Sequence, residues 1–151
     1  MHERFAAGKA VLLDALFQTI CDREPLGDGM TRVVYAMPAI PNVVVKFELG
    51  GGEHFQNVEE WETWQHVKMV DSIAKWLAPC DYISSDGRVL LQRKTVPPKD
   101  NQYPTHLPVW LTDTKRENFG MLGKHFVCHD YGTNLLRENG MTKRVRKINW
   151  R

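Results

Sequence analysis

Four polar residues near the C-terminal end of the chain have types and spacing suited to phosphoryl transfer. Asp113, Lys115 and Asn118 lie within six residues, and Asp130 follows twelve residues after Asn118. A carboxylate beside an acceptor hydroxyl can orient it and take its proton, and a lysine can steady the charge of the transferring phosphoryl group. An amide oxygen and a second carboxylate are hard ligands for Mg²⁺, which also bridges phosphates. The four residues therefore predict a site for a hydroxyl acceptor, a phosphate and Mg²⁺.

Two glycines and a lysine upstream suit phosphate binding. Gly27 and Gly29 precede a β-branched segment, and glycines let backbone amides approach phosphate oxygens closely. Because strand-forming residues follow, a glycine-rich hairpin is favoured over a dinucleotide-binding turn, although an ordinary turn has the same pattern. Lys46 ends an apolar run, where its amine either reaches water or pairs with a phosphate and a carboxylate. Glu60 is a suitable partner, but spacing alone does not choose it from the other helix glutamates.

The periodicity of apolar residues predicts the elements that position these side chains. Helical spacing predicts two helices, over residues 2–20 and 55–77. Strands are predicted at four places, which are residues 32–36, 43–47, 81–84 and 88–92. The last two flank Asp86-Gly87, which is a hairpin signal. A helix, several strands around a second helix and a short loop-rich end together predict an α+β fold with an antiparallel sheet.

The composition is that of an ordinary globular domain. The chain has 151 residues, of which 42% are hydrophobic and 25% charged, so we expect one domain with a real core. No apolar run has the length of a membrane span, and we expect no secretory signal. Three widely separated cysteines predict reduced thiols and a cytoplasmic location. Cys128-His129 lacks the second pair of ligands that a structural zinc site requires.

The last fifteen residues are locally basic, although the formal net charge of the chain is only +2. Residues 137–151 include six lysines or arginines and one glutamate. One interpretation is a nucleic-acid arm, in which Lys143, Arg144, Arg146 and Lys147 neutralise phosphates. The other is a solvated or sheet-docked C-terminus, which we favour because so small a net charge does not by itself indicate nucleic acid.

Taken in order, these motifs resemble those of protein kinases, within the superfamily that includes aminoglycoside phosphotransferases. Residues 26–35 resemble the kinase glycine-rich loop, with Arg32 in place of its third glycine. Val44-Val45-Lys46 resembles the strand that carries the phosphate-binding lysine, and Glu60 falls where the helix glutamate pairs with that lysine. Residues 89–93 resemble the strand leading to the adenine-binding hinge. Residues 113–118 match the catalytic loop, and residues 130–132 match the magnesium-binding triplet.

The resemblance implies a protein-kinase-like fold that binds ATP and Mg²⁺. It implies nucleotide binding by five residues, namely Gly27, Gly29, Lys46, Glu60 and Gln92. It makes Asp113 and Lys115 catalytic, and it makes Asn118 and Asp130 the magnesium ligands. The implied parts are an N-terminal helix over residues 1–22 and an antiparallel small lobe with one main helix over residues 23–95. A minimal catalytic region over residues 96–136 and the basic tail over residues 137–151 follow.

The departures from the kinase pattern lie at the C-terminal end. Leu111-Thr112 stands where kinases have His-Arg, and only nineteen residues follow Gly132. The larger lobe is therefore expected to be strongly truncated, as in the abbreviated kinase-like proteins of phage genomes that the chain resembles, which would act in the host cytoplasm. Two functions follow: a Ser/Thr-type phosphotransferase whose acceptor is a protein hydroxyl or a small molecule, or a weak or inactive kinase-like module that binds nucleotide or a partner protein.

Overall fold

A five-stranded antiparallel sheet is the largest element of the computed structural model, which describes residues 21, 24–29, 31–50 and 54–150. Its strands lie in the order β1-β2-β3-β5-β4. Their bounds are β1 Gly27–Asp28, β2 Arg32–Ala36, β3 Val43–Glu48, β4 Cys80–Ile83 and β5 Val89–Arg93. The sheet confirms the predicted α+β class and the hairpin around Asp86-Gly87, while the helix predicted over residues 2–20 lies outside the described residues.

The described residues form three α-helices, besides 3₁₀ turns at Asp100–Gln102 and Arg116–Asn118. The α-helices are α1 Gln56–Val67, α2 Asp71–Ala74 and α3 Leu136–Asn139. The prediction of one helix over residues 55–77 was wrong beyond Val67, because Val70 leaves helical geometry with φ −114° and ψ 88° and a new helix begins at Asp71. Within the described residues, no helix is both long enough and apolar enough to cross a membrane.

Strand β3 carries one charged face and one apolar face. Its residue Lys46 pairs in register with Val34 of β2 and Leu90 of β5. Successive side chains of a strand point to opposite faces, so Val45 packs with apolar neighbours such as Leu91 on the face away from α1. Lys46 lies on the other face, where its ammonium meets a glutamate of α1.

The C-terminal end contains more strand than the expected loop-rich region. Two further antiparallel pairs form there, β6 with β9 and β7 with β8. Their bounds are β6 His106–Pro108, β7 Phe119–Leu122, β8 His125–Cys128 and β9 Val145–Lys147. The basic tail is therefore docked on a strand, in keeping with the favoured interpretation of the C-terminus.

One hydrophobic core connects the sheet to the C-terminal segments. Leu90, Trp110 and Tyr131 are all fully buried in it. An aromatic cluster beside the core includes Phe119 and Trp150, whose ring centroids lie 5.3 Å apart, and the indole of Trp150 donates a hydrogen bond to the carbonyl of residue 104 at 2.7 Å. This packing holds the segment that carries the candidate catalytic residues against the sheet.

Candidate functional site

Glu60 is the centre of a buried ion network. Its Oε2 accepts a hydrogen bond from Lys46 Nζ at 2.8 Å, and its Oε1 accepts from Arg32 Nη2 at 2.9 Å and from the backbone N–H of Tyr131 at 3.0 Å. Burial alone would raise the pKa of the Glu60 carboxyl, but the charges of Arg32 and Lys46 outweigh burial and hold that pKa at about 2. Glu60 is therefore an anion that ties β2, β3 and the segment after β8 to α1.

Arg32 extends this network to the predicted magnesium ligand. Its Nη2 lies 2.6 Å from Asp130 Oδ1, and its Nη1 lies 3.3 Å from Asn57 Oδ1. The side chain is only 6% exposed, whereas that of Asp130 is 46% exposed. In sequence Arg32 was notable only as the residue that replaces a glycine, and its role as a bridge between two carboxylates was missed.

Lys46 is buried and bound from two sides. Its Nζ donates to Glu60 and to the backbone carbonyl of His129. A protonated lysine amine carries three N–H donors, so one donor has no partner among the residues that the structure describes.

Asn57 organises the charged cluster and was not singled out by its sequence. Its backbone N–H donates to Glu48 Oε1 at 2.7 Å, and its Nδ2 donates to the carbonyls of Lys46 and Arg88, each at 3.0 Å. An asparagine in the first turn of a helix is usually at the surface, and its burial follows only from the packing of α1 on β3. The amide therefore holds α1 in register with the lysine-bearing strand.

Asn118 lies next to Asp130 through backbone contacts. The Asn118 carbonyl accepts the N–H groups of His129 at 2.9 Å and of Asp130 at 3.3 Å. Its Nδ2 donates to the Asp113 carbonyl at 3.3 Å, which links the loop to the same cluster. Asn118 Oδ1 and Asp130 Oδ2 make no hydrogen bond with the described part of the chain, so both oxygens remain available as ligands.

Asp113 and Lys115 lie on the more exposed side of the site. Asp113 Oδ2 is 3.9 Å from Lys115 Nζ, and the two side chains are 41% and 66% exposed. Both residues line an open groove of about 510 Å³ between residues 112–117 and residues 146–149. The candidate catalytic carboxylate is thus accessible to an acceptor, while the Lys46–Glu60 pair is buried.

His129 connects the segment after β8 to Thr95, which follows β5, and to Glu117. Its Nδ1 lies 2.8 Å from Thr95 Oγ1, and its Nε2 lies 2.8 Å from the Glu117 carbonyl. Burial and the charge of Lys46 lower the pKa of the imidazole, so the neutral ring donates from Nε2 and accepts at Nδ1. Cys128 is buried beside it, and no cluster of three or more His, Cys, Asp or Glu residues suited to a metal occurs within the described ranges.

The other predicted nucleotide-binding residues make no hydrogen bond with the side chains of Glu60, Lys46, Arg32 or Asp130 in the part of the chain that the structure describes. Gly27 and Gly29 are exposed, neither has a positive φ, and the Gly29 N–H donates to the Arg32 carbonyl at 2.9 Å. Gln92 is fully buried on β5, with Nε2 3.8 Å from Cys80 Sγ, and its Oε1 has no hydrogen-bond partner among the described residues. The structure thus brings together Lys46, Glu60, Asn118 and Asp130, but not Gln92.

Protein-family models, curated proteins and solved structures contain no match to the chain.

Proposed function

We propose that this protein is a kinase-like phosphotransferase that moves the γ-phosphate of ATP to a hydroxyl in the presence of Mg²⁺. The observation that carries the proposal is the buried ion pair between Lys46 and Glu60, 2.8 Å apart, against the segment that bears Asp130. A buried lysine that keeps one free N–H beside an oxygen-rich cluster suits the inner phosphates of a nucleotide. The antiparallel sheet with α1 between β3 and β4 agrees with the expected small lobe.

The oxygens beside this lysine fit Mg²⁺. Asn118 Oδ1 and Asp130 Oδ2 are an amide and a carboxylate oxygen on neighbouring segments, and Mg²⁺ commonly takes one or two protein ligands and completes its shell with water and phosphates. When bound, the ion would neutralise charge on the phosphates. Arg32 neutralises part of the Asp130 charge, so it also sets how strongly Asp130 binds a cation.

The chain's own residues then have separate roles in the transfer. Lys46 binds the inner phosphates, with Glu60 fixing its position. Asp113 orients the acceptor hydroxyl and takes its proton as the new O–P bond forms. The bond from the γ-phosphorus to its bridging oxygen breaks, and the nucleoside diphosphate leaves with that oxygen. Lys115 compensates the charge that Asp113 and the phosphoryl group bring together.

Label transfer from γ-labelled ATP tests this function. The protein is incubated with Mg²⁺ and a panel of protein and small-molecule hydroxyl acceptors, beside Asp113→Asn and the surface control Asp81→Asn. We expect transfer by the parent protein and by the control, and a loss of at least about a hundredfold in Asp113→Asn, because general-base catalysis contributes about 10²–10⁴ in rate. Equal transfer by Asp113→Asn and the parent would rule out the assigned role.

A second function is favoured by one specific contact, the 2.6 Å ion pair between Arg32 and Asp130. A fixed guanidinium at this carboxylate can take over the charge balance that Mg²⁺ would otherwise supply. The protein would then hold a nucleotide, or a partner protein, without transferring phosphate. The two functions predict different effects of Mg²⁺ on the affinity of the protein for ATP.

Calorimetric titration of the protein with ATP, once in the presence of Mg²⁺ and once in the presence of a chelator, distinguishes the two functions. A phosphotransferase is expected to bind ATP more tightly with Mg²⁺, and Asp130→Asn is expected to remove that gain while Asp81→Asn retains it. Affinity that is the same with and without Mg²⁺ in all three proteins favours the module. A nucleotide that binds the folded protein also raises its melting temperature, so absence of any shift would exclude nucleotide binding.

A further inference from the structure

The groove beside Asp113 is bounded by two segments that are far apart in sequence. Residues 112–117 form one wall and residues 146–149, at the end of β9, form the other. Arg146 Nη2 donates to the carbonyl of Leu111, the residue before the first wall, at 3.0 Å, which joins the two segments. The groove has a volume of about 510 Å³, which lies within the range of about 300–1,000 Å³ typical of small-molecule sites.

The lining of this groove has an excess of positive charge. Its ionisable side chains are four cations and two carboxylates, namely Lys115, Arg116, Arg146, Lys147, Asp113 and Glu117. Lys115 lies near Asp113, and Arg116 is bound to Asp100 at 3.2 Å. Arg146 is held by a carbonyl rather than a carboxylate, and Lys147 makes no ion pair within the described residues. Arg146 and Lys147 therefore make no ion pair with a carboxylate of the described residues, and the lining keeps an excess of positive charge even when Glu117 and Asp100 are counted.

We propose that this groove binds a small acceptor that carries a phosphate as well as the hydroxyl to be modified. The inference rests on the proposed phosphotransferase function, because it places the acceptor hydroxyl at Asp113. Arg146 and Lys147 bind the acceptor's own phosphate, and the hydroxyl, amide and carboxylate groups of the lining bind its hydroxyls. The groove is open, but its volume of about 510 Å³ is that of a small-molecule site, which favours a sugar or polyol phosphate over a peptide or a nucleic acid.

Titration without nucleotide tests the groove on its own. Glucose 6-phosphate and glycerol 3-phosphate are compared with glucose and glycerol by calorimetry at low salt, using the parent protein, Lys147→Gln and Lys143→Gln. Lys147 is exposed, so its replacement leaves the fold intact, and Lys143 is an exposed lysine of the same tail that does not line the groove. We expect at least one phosphorylated compound to bind about tenfold or more tightly than its parent alcohol, and Lys147→Gln alone to weaken that binding about fivefold.

Three results would overturn the inference. They are equal binding of both phosphorylated compounds and their parents, equal losses in Lys147→Gln and Lys143→Gln, and tighter Lys147-dependent binding of an acidic octapeptide or a single-stranded oligonucleotide than of either phosphate compound. Mg-ATP titration of the same three proteins separates this failure from failure of the proposed function. ATP binding without binding of the phosphorylated compounds removes only the acceptor class. The reverse result removes the nucleotide reaction and with it the acceptor role, and leaves only a groove that binds a phosphate.

Discussion

Replacing Glu60 by Gln is the sharpest test of the buried ion network. The substitution keeps the size of the side chain but removes the charge that faces both Arg32 and Lys46. Glu60 is fully buried, and Lys46 and Arg32 are only 3% and 6% exposed. Without the carboxylate Lys46 loses its ion-pair partner and Arg32 keeps only Asp130, which is strongly unfavourable for buried charges.

The size of the effect follows from two independent arguments. The pKa of Glu60 is lowered from 4.5 to about 2, and at about 1.4 kcal/mol per pH unit this corresponds to about 3 kcal/mol of unfolding free energy at neutral pH. Removing one partner of a buried ion pair generally costs about 3–5 kcal/mol. We therefore expect Glu60→Gln to lower the free energy of unfolding by about 3–5 kcal/mol.

Urea unfolding at pH 7, followed by tryptophan fluorescence and circular dichroism, measures this loss. With a slope of about 2 kcal/mol per molar urea, the midpoint is expected to fall by roughly 2 M. Glu62→Gln is the matched control, because Glu62 lies on the same helix and its side chain is 52% exposed in an ion pair with Arg137. Exposed pairs contribute about 0–1 kcal/mol. A loss in Glu60→Gln within about 1 kcal/mol of the control would refute the reasoning.

Three other predictions concern acid stability, close packing and thiol reactivity. Because the folded pKa of Glu60 lies below 4.5, its stabilisation is present above about pH 4.5 and is lost as pH falls through about 2; urea midpoints across this window should fall less steeply in Glu60→Gln than in the parent. A Cβ at Gly120 would lie 2.2 Å from a threonine hydroxyl, whereas one at Gly50 meets nothing within 4 Å. Thermal unfolding should therefore show a loss of about 1–3 kcal/mol in unfolding free energy for Gly120→Ala and a change within about 0.5 kcal/mol for Gly50→Ala. Equal losses in the two variants would contradict the packing. Burial raises the pKa of Cys80 to about 12 and also raises the pKa of Cys128. Iodoacetamide should therefore modify both thiols at least tenfold faster in urea than in buffer, as measured by mass spectrometry of each cysteine peptide. Equal rates would show that the thiols are accessible in the folded protein.

Local patterns in the sequence were sufficient to predict four of the five strands of the sheet, all except β1. β-Branched residues predicted strands over residues 32–36 and 43–47, and the structure forms β2 and β3 there. Asp86-Gly87 predicted the β4–β5 hairpin, where Gly87 takes a positive φ of 75°. Each of these features depends on residues close in sequence, so a short segment contains most of the required information. The helix over residues 55–77 was overextended because periodicity did not reveal the break at Val70.

The C-terminal end was less predictable from sequence. The pair of β6 with β9 joins His106 to Lys147 and Pro108 to Val145, and neither short strand has a strong pattern of its own. Each strand depends on the hydrogen bonds of the other and on the core beneath them. A loop-rich region was therefore expected where the structure has two strand pairs.

The set of chemical groups, their order, and the strands and helix that carry most of them were predictable from the sequence. Which charges meet depends on the packing of segments that are distant in the chain. Glutamates 59, 60 and 62 could not be distinguished by spacing, yet the packing of α1 on β3 buries Glu60 alone against Lys46. Arg32 reaches Asp130 across 98 positions of sequence. Both outcomes have the same physical reason: a buried charge requires a partner, and packing between distant segments determines which partner is within reach.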